Sequence, residues 1–167
     1  MAFTDYNDIT DGGFVAGAMH TAIVGATPVT YINDDTVVLP AGFGAVISAE
    51  GKVTLPSGAG TFAGVLTLPQ TLEKRTGYSL DADGFFGYPA DYEAALANDD
   101  WYAVYVDDTV VAGDSVYLNH TASTSKVGTF RNDANSSNAQ LISGARFEIG
   151  AVGTPTTPAI AIVNFSA

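Results

Sequence analysis

The sequence predicts an all-β protein: a β-sandwich or barrel of about ten to twelve short antiparallel strands, with an extended N-terminal arm. Three observations predict it. Only 14% of the 167 residues are charged, and Gly, Ala, Thr and Val dominate over Lys, Arg, Glu and Leu, which disfavours long surface helices. Short apolar or alternating runs recur along the chain, each bounded by Gly, Pro, Asn or Asp. The pentapeptide Asp-Asp-Thr-Val-Val occurs twice, at Asp34–Val38 and Asp107–Val111. Each copy follows an alternating run and precedes Ala-Gly, directly in the second copy and after two extra residues in the first. Residues 28–48 and 101–119 therefore read as one hairpin unit used twice: strand, acidic turn, strand. The acidic pairs are expected to turn the chain at its solvent-facing end.

The elements follow in order. Residues 1–19 are polar and then Gly-rich, with Asp11-Gly12-Gly13 and Gly17, and read as an extended arm; residues 20–167 read as a single β-rich domain. Residues 20–32 hold Val, Ile and Thr broken by Gly25 and Pro28, enough for two short strands. Asp34-Asp35 turn the chain into Thr36–Leu39, and Pro40-Ala41-Gly42 turn it again. Phe43–Ser48 and Lys52–Leu55 flank a Gly-containing loop, a hairpin signal. Thr61–Leu68 reads as a buried strand, and Pro69–Asp83 is the most polar irregular stretch.

Residues 88–98 allow two readings. Pro89 and an Ala-rich body suit a short helix. The preferred alternative is a strand, Asp91–Leu96, turned by Asn98-Asp99-Asp100 into the strand Trp101–Val106. That last strand is apolar or aromatic on both faces, so both are expected to be covered. Val116–Asn119 and Val127–Phe130 flank a polar tip, Asn132–Asn138 is a polar loop, and Ala145–Ile149 and Ala159–Phe165 are the closing strands.

Bulk properties narrow the function. The net charge is −12, from 18 acidic and 6 basic residues, and this opposes both nucleic acid and an anionic membrane surface as partners. There are no cysteines, so disulfides and thiolate metal sites are excluded. Residues 1–5 lack the basic and apolar regions of a signal peptide, and no apolar run approaches the ~20 residues that span a bilayer. Synthesis in a cytoplasm is expected.

Candidates for chemistry are few. Ser115, in Gly113-Asp114-Ser115, would need a base and an oxyanion hole, but it falls in a strand rather than a strand-to-helix elbow. His20 and His120 are the only histidines; two fall short of a zinc site, and a triad needs an orienting carboxylate. Asp81-Ala82-Asp83-Gly84 opens like a calcium loop, yet its sixth and twelfth positions are Phe86 and Tyr92 instead of Gly and Glu. Asp34-Asp35, Asp99-Asp100 and Asp107-Asp108 would hold a divalent cation only if two turns converged; solvated turn residues are the simpler reading. Phe85, Phe86, Tyr88, Tyr92, Trp101, Tyr102 and Tyr105 cluster in sequence and suit a core or subunit interface better than a carbohydrate platform. No enzymatic activity, cofactor or metal is expected.

From about residue 43 onward the order of pieces resembles the structural cement proteins of tailed phages, also called capsid decoration proteins. The resemblance runs through Phe62-Ala63-Gly64-Val65-Leu66, Tyr88–Leu96, Trp101–Val106 and Val111–Leu118. It continues through Gly128–Ala134, Gly144-Ala145-Arg146-Phe147 and Ala159–Asn164. The first 40 residues match less well, and the Arg-rich segments of many members are missing.

The resemblance implies a non-enzymatic protein that binds the outer face of an icosahedral capsid, bridges major capsid protein subunits and forms a small homo-oligomer, a trimer ahead of a dimer. It also implies paired strands over Tyr88–Val106. The residues expected at the interfaces are Phe3, Tyr6, Phe14, Phe85, Phe86, Tyr88, Tyr92, Trp101 and Arg131. The competing reading is a carbohydrate-binding β-sandwich on a virion surface, using Trp101 and nearby tyrosines.

Overall fold

A computed structural model describes residues 16–17, 28–68, 79–122 and 126–165. Residues 1–15, 18–27, 69–78, 123–125 and 166–167 lie outside the described residues. With them lie most of the expected arm, the first of the two strands expected over 20–32, and most of the hairpin tip at 121–125.

The described chain is all-β, as the composition predicts. It holds fifteen strands: β1 (Val29–Asn33), β2 (Leu39–Pro40), β3 (Gly44–Ala49), β4 (Lys52–Thr54), β5 (Phe62–Leu66), β6 (Ser79–Leu80), β7 (Phe86–Tyr88), β8 (Glu93–Ala97), β9 (Trp101–Val106), β10 (Thr109–Val110), β11 (Ser115–Asn119), β12 (Phe130–Arg131), β13 (Ala139–Ile149), β14 (Ala151–Val152) and β15 (Ala159–Asn164). Five of them are two residues long, and a 3-10 turn covers Asn135–Ser137.

Ten strands close into two five-stranded barrels, one ordered β1-β4-β3-β5-β8 and the other β9-β12-β11-β13-β15. Closure leaves no barrel strand with an unpaired edge. The two orders are the same order. In each, the first strand runs parallel to the third, β1 with β4 and β9 with β12, and the other neighbours are antiparallel. These two parallel pairs depart from the antiparallel pattern expected throughout. A short ribbon flanks each barrel: β2 pairs with β7, which also carries β6, and β10 pairs with β14.

The match extends to single hydrogen bonds. Asp34 N–H donates to Val53 C=O as Asp107 N–H donates to Phe130 C=O. Gly42 N–H donates to Leu66 C=O as Gly113 N–H does to Phe147 C=O, and Leu66 N–H returns to Phe43 C=O as Phe147 N–H returns to Asp114 C=O. Gly42 and Gly113 both sit at positive φ, 82° and 91°, where glycine is the unstrained residue. The doubled pentapeptide marks the start of this longer equivalence, and the two extra residues of the first copy, Leu39-Pro40, form β2.

The hairpin reading of that repeat is corrected. β1 and β2 do not pair, nor do β9 and β10; each acidic turn hands the chain from a barrel strand to the flanking ribbon. Residues 93–97 are a strand and no helix, but β8 pairs with β1 and β5 rather than with β9. Asn98-Asp99-Asp100 is therefore the crossing from one barrel to the other. β13 starts at Ala139, ahead of the strand expected over Ala145–Ile149; Gly144 at φ 84° and a register shift opposite β11 interrupt its regular alternation.

The barrels are fused through their cores. One apolar cluster joins Val46, Val65 and Ala97 of the first barrel to Val104, Leu118, Phe130, Phe147 and Val163 of the second. Fully burying each such side chain contributes about 1.5–3 kcal/mol. Gly44 lies at the seam, where a Cβ would come within 2.5 Å of Leu118 and 2.9 Å of Phe130. Gly44 N–H donates to Gly128 C=O and Tyr105 N–H to Gly42 C=O across it. Ala16-Gly17 is clamped there too: Gly17 N–H donates to Ala103 C=O and Leu68 N–H to Gly17 C=O.

Candidate functional site

The polar centre of the second barrel is Arg131, which is 8% exposed. Its Nε donates to Asp133 at 2.6 Å and its Nη2 to Asp108 at 2.8 Å. Its Nη1 lies 3.8 Å from Asp107 Oδ1, a charge contact without a hydrogen bond. The Asp107 side chain is wholly buried, and its Oδ2 accepts from Asn119, which also donates to Thr129. The cation thus fastens the second acidic turn to β12 and to the loop after it.

Burial pushes the Asp133 carboxyl up, but hydrogen bonds from Arg131 and from Asn135 N–H outweigh it and hold that carboxyl below its ordinary value. The first acidic turn has a lighter version of the same device. Asp34 accepts from Lys52 at 2.7 Å and from Ser48, which hold its carboxyl below the usual range, while Asp35 accepts from Thr54 and from Leu55 N–H.

These positions correct one expectation. Asp107 does not face solvent, because a buried guanidinium compensates its charge. Arg131, expected at an interface, is 8% exposed and holds three aspartates of its own chain. Asp34-Asp35 and Asp107-Asp108 each follow a strand of a different barrel, and Asp99-Asp100 lies at the crossing between the barrels. No group of three or more His, Asp or Glu among the described residues is arranged to hold a metal ion. Asp81 accepts from the N–H groups of Asp83 and Phe85, a self-contained turn.

Ser115 and His120 stand at opposite ends of β11, separated by roughly 17 Å of strand, so neither reaches the other. His120 Nδ1 is 2.9 Å from the Thr121 hydroxyl and its residue is 9% exposed. His20 lies outside the described residues.

The expected interface aromatics divide. Phe3, Tyr6 and Phe14 lie outside the described residues. Tyr88 is withdrawn from the surface: it is 2% exposed and its hydroxyl donates to Thr67 C=O at 2.7 Å. Phe85 is partly buried, edge-to-face with Tyr105 and tilted against Phe43, ring centroids 4.8 and 5.3 Å away, and Lys126 lies over its ring. Burial and the charges of Asp99 and Asp100 push the Tyr102 phenol up to about 12. Phe86 and Trp101 are half-buried, and Tyr92 is 51% exposed. The aromatic run is mostly drawn inward, which leaves Tyr92 as its exposed member.

Sequence reasoning missed the aliphatic surface. Val152 is 75% exposed, Leu80 63%, Val111 58%, Val29 55% and Leu141 55%. Four of the five sit in strands, where alternation is a usable signal, but in chains this apolar it does not say which face is covered.

The described basic residues have partners within the chain. Lys52, Lys126 and Arg131 are ion-paired with Asp34, Asp83 and the Arg131 aspartates, and Arg146 donates to Gly113 C=O. Asp91, Tyr92, Glu93 and Asp99 line an exposed acidic stretch on either side of β8.

No curated protein sequence matches the chain. A chain in the structure of the capsid of Myoviridae Phage XM1 has the same fold, with a TM-score of 0.66 at 15% identity, over 92% of this chain and 90% of that one. The family model for structural cement proteins (E217 gp24/Pam3 gp6) matches residues 3–166. On that match across nearly its whole length, the chain belongs to the structural cement protein family of phages.

Proposed function

We propose that this protein binds the outer face of an icosahedral phage capsid and bridges neighbouring major capsid protein subunits, stabilising the shell. The family match over residues 3–166 carries the reading. The molecule suits the task physically. Two fused closed barrels make a stiff body, and the acidic exterior keeps free copies apart. A component that binds the assembled shell and not its separated subunits shifts the equilibrium toward assembly by mass action.

In this proposal the arm, residues 1–19, leaves the barrel seam at Ala16-Gly17 and lies along the shell with Phe3, Tyr6 and Phe14, while Tyr92, Phe86 and Trp101 supply contacts from the body. The copies associate as a trimer or a dimer on the virion surface after synthesis in the host cytoplasm. No cofactor or nucleic acid takes part.

The test adds purified protein to undecorated capsids and measures occupancy and the capsid melting temperature. Saturable binding with a raised melting temperature is expected. Binding to immobilised glycans with bare capsids would instead select the carbohydrate reading. Deleting residues 1–15 should lower occupancy; unchanged occupancy removes the arm from the mechanism.

A further inference from the structure

The two barrels differ in one place that bears on binding. In the first, the ribbon strand β7 is bonded on both sides: to β2 through Leu39↔Tyr88 and Pro40↔Gly87, and to β6 through Ser79↔Gly87 and Leu80↔Phe86. β6 comes from the long connection between β5 and β7. In the second barrel only Gly150 separates β13 from β14, so that connection supplies no such strand. β14 pairs with β10 on one side, and among the described residues nothing pairs with its other edge.

The outer edge of β14 is ready for a strand. Gly153 N–H donates to Asp108 C=O, so residues 108 and 153 form a hydrogen-bonded pair. Alternation then turns the N–H and C=O of Val152 away from β10, toward the open edge. Val152 is 75% exposed, and Val111 at 58% lies on the same face of the ribbon, while Val110 and Ala151 on the other face pack on the core. An open edge beside exposed aliphatic residues is the kind of template that takes a strand from another chain.

We propose that the open edge of β14 receives an extended, basic segment of a shell subunit, which takes the place that β6 fills in the first barrel. Charge selects this occupant. Each copy of this chain carries −12, and its described basic groups are held by its own carboxylates or carbonyls, so a second copy meets like charge. The inference rests on the capsid-binding reading.

The test uses full-length protein and purified capsids. Hydrogen exchange is followed at the Val152 amide, free and docked. Exchange should slow at least 10-fold on docking. Val152→Pro removes the outward donor without touching a bond to β10, and should lower occupancy at least 10-fold with an unchanged free-protein melting temperature. Wild-type binding should also weaken as salt is raised. A wild type that leaves capsids bare overturns both readings. A wild type that docks while the Val152 amide exchanges freely overturns the edge alone. Self-association that protects Val152 in the absence of capsids makes the occupant a second copy and overturns the basic-strand assignment.

Discussion

Replacing Arg131 with methionine removes the cation and keeps most of the side-chain volume. The consequence depends on which aspartates are left behind. Asp133 and Asp108 are 61% and 37% exposed at their side chains, so water takes over their solvation, and each pair contributes about 0–1 kcal/mol. Asp107 is wholly buried and keeps only its bond from Asn119. Removing one partner of a buried pair costs about 3–5 kcal/mol, because the other charge stays uncompensated. Arg131→Met should therefore cost about 3–5 kcal/mol, a large part of a typical domain stability of about 5–15 kcal/mol. For a chain of this size that is a fall of about 6–20 °C in Tm, at about 2–4 °C per kcal/mol. Urea unfolding followed by Trp101 fluorescence measures it. Adding Asp107→Asn removes the stranded charge, so the double variant should recover at least about 2 kcal/mol of the loss. A single variant within about 0.5 kcal/mol of wild type, or a double variant no better than the single, would refute the claim that Arg131 compensates a buried carboxylate.

Three further outcomes follow from the same geometry. Gly87→Ala and Gly150→Ala should each cost about 1–3 kcal/mol, since their Cβ atoms would meet Leu39 C=O at 2.1 Å and Val110 C=O at 2.4 Å; Gly58→Ala, with nothing within 4 Å, should be neutral in the same urea titration. Asp34 and Asp133 have folded pKa values below their unfolded ones, so the stability they contribute is present above about pH 4 and lost as pH falls through the folded values. Melting temperatures from pH 7 to pH 2.5 should drop in that window, with a shallower drop in Asp133→Asn. Tyr102, raised to about 12, favours the folded state below about pH 10, and that contribution is lost as pH rises toward 12. An ultraviolet phenolate titration should show one tyrosine ionising last, and Tyr102→Phe should remove it.

The strands were legible because period-two patterning and turn residues are local signals. β3 and β4 around Ala49-Glu50-Gly51, and β11 and β12 around residues 121–128, are the hairpins their spacing predicts. Partner choice was not legible. Asp34-Asp35 and Asp107-Asp108 look like hairpin turns because acidic turns are common there, but nothing in five residues says that the next strand joins a ribbon with β7 or β14. The burial of Asp107 was invisible for a similar reason: the cation that permits it comes from β12, far along the chain, and a lone Arg carries no pattern. Aromatic character marks Tyr88 as an interface candidate in the sequence, but burial takes it into the core and leaves Val152, Val111 and Val29 to water.

A cryo-EM map of capsids decorated with this protein is the decisive test of the proposed bridging. Density for two fused barrels is expected on the outer face, over a junction, in contact with at least two major capsid protein subunits. Density on the inner face, density touching a single subunit, or capsids left bare at saturating protein would contradict it.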